Sequence, residues 1–492
     1  MQNTDSTFPT GEVLDPRLAS NRTKYSGSEG AGSGDLRRPV FLVAFVLAAI
    51  LFTFTSIPIP FKILAPFLLV PLVPAFRRGA ETWLVAAAMF TGFQCLVGVG
   101  YVWCAEDDTF LTSCYPALRE FVIGIIVITA LNGRSFRVIM LFMTIWVALQ
   151  GLALGVQMSG GDPASILPFP IFNVRDSPIV HSLSAHGRFG GFTFEAGVLG
   201  GIASVFLQMI VVCGYLMFRD RPRVSFKLLG LMVIVILLMG ILAMTLTKSG
   251  LFTVTVASVV LLGVAIFTGD LRTTVVALVS IGIATLIVLA AIDNSPTASN
   301  YVNGEVERFD SFLSTGDTSG ILDSGLAGRV ECAKLAFLGV PDFPFGLGFG
   351  GMKTYVDKNL NESMLSPELR EYFGAGDFGL KGYFFDILAM SGALGVLLML
   401  WMILVSAKPY LFASRRRSLA APASIAAGLV ALSLSAELMP FVGLCAFIYS
   451  AGMALKREKW AMASVKSRPV RRAQDRAGQI PASMHAARAI FS

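Results

Sequence analysis

Charge is scarce in this chain. Only 14% of its 492 residues are Asp, Glu, Lys or Arg, where a soluble domain carries about a quarter. With 54% hydrophobic residues and a mean hydropathy of +0.70, that shortage excludes an ordinary soluble enzyme and implies a polytopic membrane protein. Histidine is limited to three residues, and the six cysteines (95, 104, 114, 213, 332 and 445) fall in no metal-ligand spacing. The first 36 residues lack the apolar core of a signal peptide; they read as a disordered cytoplasmic tail with a linker-like Gly/Ser stretch. No internal repeat is evident, which weighs against a symmetric transporter. Gly346-Leu-Gly-Phe-Gly-Gly351 lacks the Lys-Ser/Thr pair and the preceding strand of a phosphate loop. It reads instead as a tight backbone passage at a membrane surface.

What is present is hydrophobic length. A span needs about 17–25 apolar residues, and about twelve stretches are read as spans: 40–57, 61–76, 82–103, 118–132, 138–158, 191–218, 228–246, 250–268, 273–292, 384–405, 419–437 and 440–455. The second and fourth are short. Basic residues mark alternate connections: Arg77-Arg78; Arg134 and Arg137; Arg219 to Lys227; Arg272; Lys408 with Arg415 to Arg417; and the tail from Lys456 onward. The positive-inside rule then sets both termini in the cytoplasm. The expected fold is an all-α polytopic membrane protein, N-in and C-in. Residues 37–457 form its transmembrane domain, and 458–492 form a basic cytoplasmic tail. Two large loops face outward, 159–190 and 293–383, the second long, acidic and partly helical. The net charge of +7 resides in the basic tail. It reports topology and attraction to anionic lipid, not nucleic-acid binding. Cys104 and Cys114 share one outward loop, where an oxidising compartment permits a disulfide.

Ionisable residues at the outer ends of the spans are the candidates for function, because such residues are costly in a membrane. His186-Gly-Arg188-Phe-Gly-Gly-Phe-Thr193-Phe-Glu195 opens the sixth span. Arg188 and Glu195 lie about two helical turns apart if the segment is helical. They serve either as a structural ion pair or as an anion-binding arginine oriented by a carboxylate. Lys248 stands in the tight turn Thr247-Lys248-Ser249-Gly250, either aimed at a phosphate or snorkelling to the interface. Arg329 lies on a short helix expected over 326–339, and its planar fork suits a diphosphate. Glu437 closes the eleventh span, and Glu106-Asp107-Asp108 forms an acidic outer loop.

Taken together, the Arg188–Glu195 segment, the Thr247–Gly250 turn and the Gly328-Arg329 to Gly350 region resemble the O-antigen polymerase and ligase family of bacterial surface-polysaccharide enzymes. The resemblance covers about 185–405, and it lies in the combination of segments, not in any single motif. It implies a metal-independent, inverting glycosyltransferase without cofactor in the bacterial inner membrane. Its donor and acceptor would be oligosaccharides on polyprenyl diphosphate, and its product exopolysaccharide, capsule or O-antigen. A flippase and a chain-length regulator would be partners. Arg188 and Arg329, with Lys248, would hold the donor diphosphate; Glu195 or His186 would take the proton from the attacking hydroxyl. Many members carry an arginine directly after the serine of the turn, where this chain has Gly250. The ligase that moves glycan to lipid A, and a transporter or flippase of lipid-linked sugars, are the alternatives.

Overall fold

The computed structural model describes residues 34–53, 80–105, 110–161, 163, 189–193, 196–220, 226–245, 247–268, 341, 343–348, 382–413, 419–436 and 440–478, with isolated residues between 282 and 340. Among them the regular structure is helical throughout, with no strand. In chain order the helices are α1 (Gly34–Thr53), α2 (Glu81–Ala105), α3 (Phe110–Leu131), α4 (Phe136–Met158), α5 (Ala196–Asp220), α6 (Phe226–Thr245), α7 (Lys248–Phe267), α8 (Tyr383–Ala413), α9 (Ala420–Ser435) and α10 (Phe441–Gly478). A 3-10 turn, Gly191–Thr193, precedes α5. Among the described residues five helices, α2, α4, α5, α7 and α8, are long and apolar enough to cross a membrane.

Helix α5 is the axis. Its residues from Leu199 to Leu216 are buried on nearly every side, and it packs against α6, α7 and α9. Helix α10 gathers α3, α4 and α8 beside it. The two groups meet at an aromatic core. The Phe206 ring lies 4.6 Å from Phe447 and 4.9 Å from Trp146, and Phe142 lies 5.7 Å from Phe447. Lipid is as apolar as these side chains, so close packing rather than expulsion from water holds such helices together. Small residues permit the approach: Trp83 lies on Gly124, Gln208 on Gly428, and Tyr410 on Gly452.

Charged residues stitch the end of the bundle where α5 finishes. Lys459 donates to the carbonyl of Leu216 at 3.0 Å, covering a carbonyl near the end of α5. Glu458 accepts from the Phe136 amide at 3.3 Å and so caps the start of α4. The Arg134 guanidinium sits 3.6 Å over the Phe41 ring.

Several boundaries differ from those read in the sequence. Helix α1 begins at Gly34, inside the expected disordered tail. Helix α10 continues to Gly478, so much of the expected tail over 458–492 is helix. Helix α3 begins at Phe110 and not near 118, because polar residues at its start had been taken for loop. Cys114 therefore lies within α3 and not in the loop. Its thiol is free and faces the Cys95 carbonyl of α2 at 3.6 Å, so the disulfide with Cys104 is not formed. The stretch 61–76, and 273–292 apart from Gly282, lie outside the described residues.

Candidate functional site

Three constructions bear on the proposed site. The first joins two of the motif segments. The turn at 189–193 is tied to the end of α6, where the Phe189 amide donates to the Met244 carbonyl at 3.4 Å. It is tied to α4 by two glutamines. Gln157 Oε1 accepts from the Gly191 amide at 2.9 Å, and Gln150 Oε1 accepts from the Phe192 amide at 3.0 Å. Gln150 also donates through Nε2 to the Thr53 carbonyl of α1 at 3.1 Å. Thr193 folds back on Gly190, its amide and its hydroxyl both reaching the Gly190 carbonyl. The amides of 191, 192 and 193 are thus all committed within the protein. The turn offers no backbone nest for an anion, so any anion held here must be met by side chains.

The Thr247–Gly250 turn stands beside it. Thr247 precedes the first turn of α7 and is buried, with its hydroxyl 3.1 Å from that of Thr245. Gly200 of α5 lies directly against the Thr247 side chain. A Cβ at Gly250 would come within 2.9 Å of the Gly200 carbonyl oxygen and 2.8 Å of Leu242. Position 250 thus faces a helix contact that leaves no room for an arginine. Gly250→Arg is accordingly expected to fail to accumulate as folded protein, checked by size-exclusion profile after extraction. A monodisperse, wild-type profile would refute the packing argument.

The second construction is a break in α8. Gly392 has φ 61° and ψ −165°, which interrupts the helix within its first third. Chain from the long loop docks there. The Leu347 amide donates to the Ala389 carbonyl at 2.8 Å and the Gly348 amide to the Met390 carbonyl at 2.9 Å. Gly346, at φ 90°, rests on the backbone of Met390 and Ser391, while the Pro344 carbonyl sits against Gly392. Of the tight backbone passage expected at 346–351, the described part, 346–348, belongs to a strap, Phe343–Gly348, that caps the carbonyls freed by the break. In the same loop, Ala333, Ala336 and Phe337 are helical and Ala336 is buried, within the short helix expected over 326–339.

The third construction was not foreseen. Glu120 stands midway along α3 and is buried, its carboxylate accepting from the Val442 amide at the start of α10 at 3.2 Å. Arg119 Nη2 lies 3.5 Å from it. Around it are Tyr383, stacked on Phe441 at 4.8 Å, and buried Asp386 in the first turn of α8. A signal was there to be read. The fourth apolar stretch was too short for a span, and lengthening it outward puts Glu120 at its middle.

Of the residues singled out in the sequence, the backbone of Lys248 is described, as the first residue of α7. His186, Arg188, Glu195 and Arg329 lie outside the described residues, as do Glu437 and the acidic trio 106–108. Among the described residues no three His, Cys, Asp or Glu side chains gather in a way that could hold a metal. No protein-family model matches the chain, and no curated protein matches it.

Proposed function

We propose that the chain is a bacterial inner-membrane polymerase. It would transfer a growing glycan from polyprenyl diphosphate onto another lipid-linked repeat unit at the outer face, with about twelve spans and both termini in the cytoplasm. The observation that carries this reading is the juxtaposition of two segments distant in sequence. The turn that follows Arg188 and leads to Glu195 is bonded to the end of α6, and Lys248 opens α7 immediately beyond that end. Cationic side chains gathered at one end of a bundle suit a lipid diphosphate, whose leaving group needs its developing charge neutralised. Arg188, Lys248 and Arg329 are assigned that role, and Glu195 or His186 the role of base.

Deleting the gene and sizing the glycan on its lipid carrier tests the reading. Single repeat units accumulating on the carrier are the expected result, and Arg188→Ala is expected to reproduce it. Full-length chains stranded on the carrier would assign ligase activity instead. Unchanged chains at the cell surface would exclude both.

A transporter of lipid-linked sugars draws support from two features, the buried Glu120 and the broken helix α8. Broken helices in transporters come in paired halves. Among the described residues α8 is the one helix with such a break.

A further inference from the structure

We infer that Gln150 and Gln157 are positioning residues for the site: they hold the turn that lies between Arg188 and Glu195 in the chain. The inference rests on the diphosphate-site reading above. The two amides are seven residues apart on α4, which places them two turns apart on one face. That face meets the 3-10 turn. Each glutamine fixes one amide of the turn, Gln157 that of Gly191 and Gln150 that of Phe192. Arg188 ends three residues before Gly191 in the chain, and Glu195 comes three after Phe192. The anchored turn thus lies between the two in the chain. Gly191 makes the arrangement possible. Its φ of 56° is a left-handed conformation, and a Cβ there would strike Gln150 Oε1.

The two glutamines differ in a way that separates positioning from general packing. Gln157 contributes an acceptor oxygen to the turn, so glutamate can take its place. Gln150 uses both ends of its amide, accepting from Phe192 and donating to the Thr53 carbonyl. Glutamate there would set a carboxylate oxygen against that carbonyl. Leucine at either position leaves an amide of the turn unbonded.

The test is binding of plain polyprenyl diphosphate to the full chain in nanodiscs, beside a thermal melt of each variant. Gln157→Leu is expected to weaken binding about tenfold, the scale of one lost hydrogen bond to a buried group. Gln157→Glu is expected to restore it to within about threefold. Gln150→Leu and Gln150→Glu are both expected to weaken it. Gln157 is half-buried, so its variants remain testable if those at buried Gln150 do not fold. Wild-type binding by Gln157→Leu overturns the inference, as does a Gln157→Glu variant no better than leucine. Arg188→Ala separates the two levels. If it binds as wild type, the diphosphate reading fails; if it loses binding while Gln157→Leu keeps it, the positioning inference alone fails.

Discussion

Gly392→Ala is expected to dislodge the strap from α8 and to lower the thermal stability of the whole bundle. A residue with a Cβ at φ 61° and ψ −165° carries strain of about 1–3 kcal/mol. The added methyl group also has no place to go, because the Pro344 carbonyl already occupies it. The chain can relieve both by straightening α8. It then loses the bonds from Leu347 and Gly348, and with them the docking of the loop. Limited proteolysis between 326 and 351, with a melt in detergent, checks this. The variant should be cut faster and melt lower. Equal cleavage and an equal melt would show that the strap is not held by the break. Activity, assayed as glycan length, is expected to fall with the docking and not with the amount of protein in the membrane.

Glu120→Leu is expected to be the next most damaging change. It leaves the Val442 amide buried without an acceptor, at a cost of about 1–3 kcal/mol. It also removes the carboxylate beside Arg119, whose side chain is 25% exposed and can find water, so that loss is discounted. Glu120→Gln keeps an acceptor for Val442 and is expected to melt close to wild type. The pair of variants is informative beyond stability. Should Glu120→Gln fold normally and still stop glycan output, the carboxylate has a chemical task. Should Glu120→Leu prove as stable as wild type, the capping of α10 is not what keeps a glutamate there.

Helix positions were legible because long apolar runs leave few choices, and α2, α4, α5 and α7 begin and end near where composition changes. Ends flanked by polar residues were not. Phe110 to Ala117 carries no charge, but its Thr, Ser and Pro residues read as loop, and α3 uses it as helix. The basic residues after Lys456 read as a tail, and α10 carries them on as helix. In both cases a hydropathy window stops at the first polar residue, while a helix ends only when its backbone bonds do. The candidate site was legible as segments and not as partners. Nothing in Gln150 or Gln157 distinguishes them from any glutamine facing a bundle interior until the turn they hold is seen. Gly250 had looked like a missing arginine, and its packing against Gly200 shows a position where shape decides.

The break in α8 also bears on how the protein is assembled. Phe343–Gly348 precedes α8 in the chain, yet it completes α8 by capping the carbonyls of Ala389 and Met390. A helix entering the bilayer with uncapped carbonyls is unfavourable. The part of α8 around the break is therefore expected to mature after insertion, when the strap returns to it. Biogenesis should show two stages, first an inserted bundle whose long loop is still open to protease, then a closed one. A pulse-chase with protease added from outside would resolve them in time.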